Sequence, residues 1–187
     1  MLAAVTVTNV SDVVNGNTSS IVDLIANDGG DGISLREAIV AANADIAADT
    51  IDFDSALDGG TILLALANGQ LPITQSLSID ASSLANGLTI MATDPSPGVN
   101  DGDGMRIFNI DDNSSNNIEV ELRSLTLTGG DIQFDGGAIW NSEDLTVADS
   151  LLLSNAAAGK GGALFVRGAA NQSVLITNTL IDSNSAN

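Results

Sequence analysis

Three segments in the second half of the chain align without gaps, and this internal repeat limits the possible folds more than any other feature. Val120-Glu121-Leu122-Arg123-Ser124-Leu125-Thr126-Leu127 returns as Leu145-Thr146-Val147-Ala148-Asp149-Ser150-Leu151-Leu152, 25 residues on. It returns again after 29 residues as Val174-Leu175-Ile176-Thr177-Asn178-Thr179-Leu180-Ile181. A second marker keeps the same step, since Gly136-Gly137-Ala138-Ile139 recurs as Gly161-Gly162-Ala163-Leu164. Each unit holds three short apolar runs separated by polar or glycine-containing corners. Runs this short cannot bury an apolar side alone. Stacked at the β-spacing of about 4.8 Å, like side chains form ladders and a continuous core. The expected ladders are Val120–Leu145–Val174, Leu122–Val147–Ile176 and Leu127–Leu152–Ile181. Asp149 and Asn178 suit corners because their side chains bond neighbouring backbone and tolerate unusual turns. Gly136 and Gly161 supply freedom at another corner.

Composition agrees with thin, regular layers. Apolar residues are 44% of the 187, but aromatic residues only 3%, so the core is aliphatic. The expected fold class is all-β: a right-handed parallel β-helix, or solenoid, with a short N-terminal capping α-helix. Residues 1–187 are expected to form a single β-helix domain. Within it, 1–54 form an N-terminal cap including helix 35–44, 55–119 form irregular first turns, and 120–187 form regular turns, the last incomplete. Strand candidates in the middle are Thr50–Asp54, Thr61–Leu66, Leu77–Asp80, Leu88–Met91 and Arg106–Ile110. Pro72, Pro95 and Pro97 fall at strand starts or in loops, and Thr93–Gly104, rich in Pro, Gly and Asp, is expected as an exposed loop.

Helix 35–44 follows from Ser34 and Glu37, spaced as a capping box ahead of a run of good helix formers. Leu35, Ile39 and Ala42 share a face. Such a helix can cover the first turn, which otherwise exposes an apolar section and unpaired strand edges.

Charge narrows the partners. Asp and Glu number 24 against 5 Lys and Arg, giving a formal charge of −19. Nucleic acid is excluded as a partner because its phosphates are repelled, and anionic membrane surfaces are disfavoured. With neither Cys nor His, disulfides and zinc sites drop out. No apolar run approaches the roughly 20 residues of a membrane span, so the chain is not expected to be membrane-embedded. The start, Met1-Leu2-Ala3-Ala4, passes directly into the alternating Val5-Thr6-Val7-Thr8, unlike a signal peptide.

Ile33-Ser34-Leu35-Arg36-Glu37-Ala38-Ile39, followed by Ala41-Ala42-Asn43, resembles the CSLREA-type N-terminal region of large bacterial β-helix surface proteins. The order downstream is also similar: Leu71-Pro72-Ile73-Thr74, Ser76-Leu77-Ser78-Ile79-Asp80, Gly87-Leu88-Thr89-Ile90 and Arg106-Ile107-Phe108-Asn109-Ile110. The Gly-Gly-Ala-Ile marker resembles repeats of chlamydial-type polymorphic outer-membrane proteins, with Leu152-x-x-Asn155 and Ile181-x-x-Asn184 in place of their Phe-x-x-Asn. The resemblance runs from Val5 to the end and implies secretion and a surface location, without a single activity. Ile33 stands where the family has its Cys, so any family disulfide there is lost.

Sites are sparse. The cations Arg36, Arg106, Arg123, Lys160 and Arg167 form no basic cluster beside acids, as a polysaccharide lyase would need. Asp111-Asp112 and Asp101-x-Asp103 are acidic pairs in turn-like segments, and a pair of acids is the minimum for glycoside hydrolysis. Aromatic platforms are few, with Trp140 the one tryptophan. Calcium is the better chemical candidate, because Asn100-Asp101-Gly102-Asp103-Gly104 and Asn27-Asp28-Gly29-Gly30-Asp31-Gly32 gather oxygen ligands on flexible turns. The metal candidates are therefore Asp101, Asp103, Asp28 and Asp31. Neither segment fits an EF-hand loop, and an Asp/Gly turn without an ion is the preferred reading of both. No cofactor is required.

The expected function is structural or adhesive: an N-terminal segment of a secreted or bacterial cell-surface β-helix protein, non-catalytic. A polysaccharide-degrading enzyme and a calcium-stabilised carbohydrate-binding module are the alternatives. Expected partners are polysaccharide or another cell surface, and the rest of its own chain or another copy at an open C-terminal edge.

Overall fold

The computed structural model describes residues 3–115, 117–168 and 172–186. It is mostly β, with parallel sheets and few helices. Strand β1 (Ala4–Val7) is followed by helix α1 (Ile21–Ala26) and helix α2 (Leu35–Asn43). The chain then runs through β2 (Asp49–Phe53), β3 (Thr61–Leu64), β4 (Leu71–Ile73), β5 (Leu77–Asp80), β6 (Leu88–Ala92) and β7 (Phe108–Ile110). Next come β8 (Glu119–Arg123), β9 (Leu125–Thr128), β10 (Asp131–Ile132) and β11 (Ile139–Asn141). The following circuit is β12 (Asp144–Ala148), β13 (Leu151–Leu153), β14 (Ala156–Ala157) and β15 (Leu164–Val166). Strands β16 (Val174–Thr177), β17 (Leu180–Asp182) and β18 (Ser185–Ala186) complete the described order.

The chain visits three sheets in rotation, joined by a fourth from β10 onward, and every pairing among the described strands is parallel. One sheet is ordered β1-β2-β5-β8-β12-β16, and a second β3-β6-β9-β13-β17. A third runs β4-β7-β11-β15 and a fourth β10-β14-β18. The ladders expected from the repeat are in register: Leu122 pairs Val147, which pairs Ile176, and Leu127 pairs Leu152, which pairs Ile181. The same ladders run on into the middle of the chain. Ile51 pairs Ile79 and Ile79 pairs Leu122, while Ile62 pairs Ile90 and Ile90 pairs Leu127. The steps are 28 and then 43 residues in the first ladder, and 28 and then 37 in the second. The longer steps carry a loop between β6 and β7.

Corners repeat with the ladders. Ser124, Asp149 and Asn178 all take left-handed backbone, with φ of 58°, 53° and 47°. A non-glycine residue pays for that conformation, which polar short side chains tolerate best. The Gly136 and Gly161 corners are left-handed too, at φ of 75° and 68°. Asn155 works inside the stack. Its Oδ1 accepts from Gly130 N at 3.0 Å, and its Nδ2 donates to the carbonyl of Leu127 at 3.1 Å and to Oδ1 of Asn184 at 3.0 Å. Asn184 Nδ2 donates to the Leu152 carbonyl at 2.8 Å. A row of two asparagines, Asn155 buried and Asn184 half-buried, thus satisfies corner backbone that would otherwise be orphaned.

Helix α2 packs against β1, β2 and β4. Its capping box forms as the sequence suggests, with Ser34 accepting from Glu37 N at 3.2 Å and Glu37 Oε2 accepting from Ser34 N at 2.9 Å. Glu37 Oε1 also accepts from Asn15 N and Gly16 N, both at 2.8 Å, so this buried carboxylate organises the preceding loop. Nine residues make a marginal helix alone. Burial of Leu35, Ala38, Ile39, Ala41 and Ala42 holds it in place. At its far end Asn43 donates to the Pro72 carbonyl at 2.8 Å and accepts from Thr74 N at 2.9 Å. The amide thereby takes the place of a neighbouring strand along the edge of β4. Arg36, also buried, forms a two-point ion pair with Asp12 at 2.7 and 3.1 Å, and donates to the carbonyls of Gly69 and Gln70. Asp12 accepts in turn from Ala65 N at 2.8 Å, just beyond β3.

Candidate metal centre

The loop between β6 and β7 leaves the stack at Thr93 and is drawn back onto it by polar contacts. Thr93 Oγ1 donates to the Leu64 carbonyl at 2.6 Å. Ser96 N donates to Asp94 Oδ1 at 2.8 Å, and Ser96 Oγ donates to Asp103 Oδ2 at 2.9 Å. Gly102 N donates to Asp131 Oδ2 at 3.0 Å, and Asp131 N donates to the Met105 carbonyl at 3.1 Å. Gly102 permits this approach because its φ is +77° and a Cβ there would press on Gln133 at 2.7 Å. A Cβ on Gly104 would sit 2.9 Å from the Asp131 carbonyl oxygen and 3.2 Å from that of Thr93.

Together these contacts gather three carboxylates. Asp94, Asp103 and Asp131 each place an oxygen within 4.8 Å of the other two. Asp131 is only 3% exposed, and its Oδ1 is buried with no hydrogen-bond partner. Burial raises the Asp94 carboxyl above the usual range. The charges of Asp131 and Asp103 push the same way, and a hydrogen bond from Ser96 N opposes them. Clustered hard oxygens with neither Cys nor His nearby form a donor set for a hard cation.

Of the four residues singled out in the sequence, Asp103 belongs to this cluster. Asp101 is exposed and closes its own turn, accepting from Asp103 N at 3.2 Å. Asp28 accepts from Gly30 N at 2.9 Å and Asp31 from Asn15 Nδ2 at 3.0 Å, both at the surface. The structure assembles no carboxylate group around Asp28 and Asp31 among the described residues. Asp94 and Asp131 were missed. Asp131 had a signal, because the 25-residue step places it opposite Ala156, and Ala156 in turn opposite Ser185. An acid interrupts a row of small residues.

A second acidic group, Asp111, Asp112 and Glu143, is differently built. Both Glu143 oxygens accept backbone N–H bonds, from Asp112 at 3.1 Å and Ile118 at 3.1 Å. Burial raises the Glu143 carboxyl, these two bonds lower it, and the charges of Asp112 and Asp111 raise it. Its role is to close a turn. Asp49 Oδ2 and Asp52 Oδ1 are also buried without partners, but neither stands in a group of three acids among the described residues.

The outer face of the six-stranded sheet carries a shallow groove lined by Thr50, Ser78, Glu119, Glu121, Asp144 and Thr146. Arg123 lies beside it, held by Glu121 at 2.6 Å and Asp149 at 2.8 Å. The two ion pairs raise the Arg123 guanidinium above its usual range, chiefly through the hydrogen bond to Glu121. Trp140 is half-buried, with the Arg167 guanidinium 5.9 Å from its ring centroid. No helix is long and apolar enough to cross a membrane among the described residues. Comparison of the chain with protein-family models, curated proteins and solved structures finds no match.

Proposed function

We propose that this chain is a non-catalytic structural segment of a secreted or bacterial cell-surface protein, folded as a right-handed parallel β-helix with an α-helical cap. The observation that carries the proposal is the repeated rotation of one chain through three parallel sheets, joined by a fourth from β10 onward, with aliphatic ladders kept in register across steps of differing length. Parallel crossovers are right-handed in nearly all known cases, which supports the hand. The cap and its Ile33–Ile39 motif support the kinship with CSLREA-type surface proteins. The edge formed by β16 and β17 exposes Leu175, Ile176, Leu180 and Ile181, and its unpaired backbone suits the addition of a further β rung.

A second role has one observation behind it. The groove beside Glu119, Glu121 and Asp144 offers hydroxyl and carboxylate groups that can bond sugar hydroxyls. Polysaccharide binding on this face fits an adhesive segment. Elimination would need a base free to take a proton, whereas Arg123 beside the groove is held by two carboxylates.

Incubation with neutral and acidic polysaccharides tests the proposal. The expected result is retention without turnover, seen as a mobility shift in affinity electrophoresis with no new reducing ends or unsaturated products. Turnover that disappears in the Glu121→Gln/Asp144→Asn double variant would overturn the non-catalytic assignment.

A further inference from the structure

We propose that Asp94, Asp103 and Asp131 form a calcium site that fastens the 93–107 loop to the edge of the three-stranded sheet. Asp131 is the starting point. It opens β10 at a position filled by Ala156 and Ser185 in the later rungs, so the stack itself needs no acid there. A buried carboxylate is costly unless its oxygens are bonded or its charge is met. Gly102 N serves one oxygen, and the other, Oδ1, is buried with no donor. The chain then adds two more negative groups within 4.8 Å instead of a lysine or arginine. Three like charges gathered around an unserved buried oxygen repel each other unless a cation lies between them.

The donors fit calcium. They are all oxygen, as that ion prefers, and come from a loop and a strand rather than from a rigid octahedral frame. Calcium takes about six to eight oxygens, and three carboxylates, some bidentate, supply half or more. The Thr93 and Asp131 carbonyls flanking Gly104 lie close to the same turn and extend the supply of oxygens. The extra length of the 43-residue step gains a purpose, because it brings Asp94 and Asp103 across to Asp131.

Thermal melting of the full chain in calcium chloride, in chelator and in potassium chloride of equal ionic strength tests this. At calcium about 100 times its dissociation constant the wild-type midpoint should rise by roughly 5–10 °C over chelator. Asp131→Asn and Asp103→Asn should lose that rise, while Asp112→Asn, in the other acidic group, should keep it. Asp131→Asn retains an acceptor for Gly102 N and sheds a buried charge, so it is expected to fold. Should it not, the exposed Asp103 supplies the same comparison. No rise in wild type, an equal rise in potassium chloride, or a rise that survives in both cluster variants would overturn the site.

Discussion

The two ends of the stack are made from the same kind of strand and treated in opposite ways. At the N-terminal end, α2 lies over β1, β2 and β4, Asn43 bonds the edge of β4, and Asp12 bonds the backbone beyond β3. At the other end, among the described residues, β16 and β17 pair on one side only. A single ladder records the difference. Leu122 is 0% exposed and Val147 1%, but Ile176 is 40% exposed. All three occupy equivalent positions and all are aliphatic. Burial in this fold is therefore conferred by the rung above, and a residue's own hydrophobicity does not decide it.

The sharpest way to break that comparison is to remove a polar anchor of the cap. Asp12→Ala strands the buried Arg36 guanidinium and should cost about 3–5 kcal/mol in denaturant unfolding. Leu122→Ala should cost about 2–5 kcal/mol, the range for a fully enclosed aliphatic side chain. Ile176→Ala, in the same ladder, should cost about 1 kcal/mol or less, since it leaves no enclosed cavity and gives up only part of its buried area. Equal losses at these two positions would mean the exposed edge is covered in solution. Asn43→Ala unpairs one carbonyl and one N–H at the edge of β4 and should cost about 1–3 kcal/mol.

The smallest expected effect concerns pH. The Asp94 carboxyl is raised in the folded chain by burial and by Asp131 and Asp103, so the native state holds that proton more tightly than the unfolded chain does. Its ionisation costs stability at neutral pH. The cost should be relieved as pH falls through the raised value toward about 3.9, the ordinary aspartate figure. In chelator, the midpoint of wild type relative to Asp94→Asn should rise over that window. A gap that stays constant with pH would show that Asp94 does not feel its neighbours.

Much of this was legible in the sequence, for a physical reason. Parallel stacking makes equivalent residues recur along the chain, so the Leu122, Val147 and Ile176 row could be read from a gapless alignment. The earlier rungs obey the same register, but the loop after β6 stretches one step to 43 residues and hides it. Strand β4 was obscured by Pro72, which lacks an N–H and is tolerated here at a sheet edge. Helix α1 has only six residues, too few for a periodic signal. The acidic group was half legible. Asp131 breaks a repeat, and Asp103 sits in an obvious turn, but nothing local to Asp94 reveals that the loop folds it back toward a strand that begins 37 residues later.

Asn43 has a consequence for assembly. By imitating a strand, its side chain occupies the position through which another molecule would extend the sheet containing β4. That sheet cannot grow past β4 by strand addition unless Asn43 first gives up the Pro72 carbonyl and the Thr74 N–H.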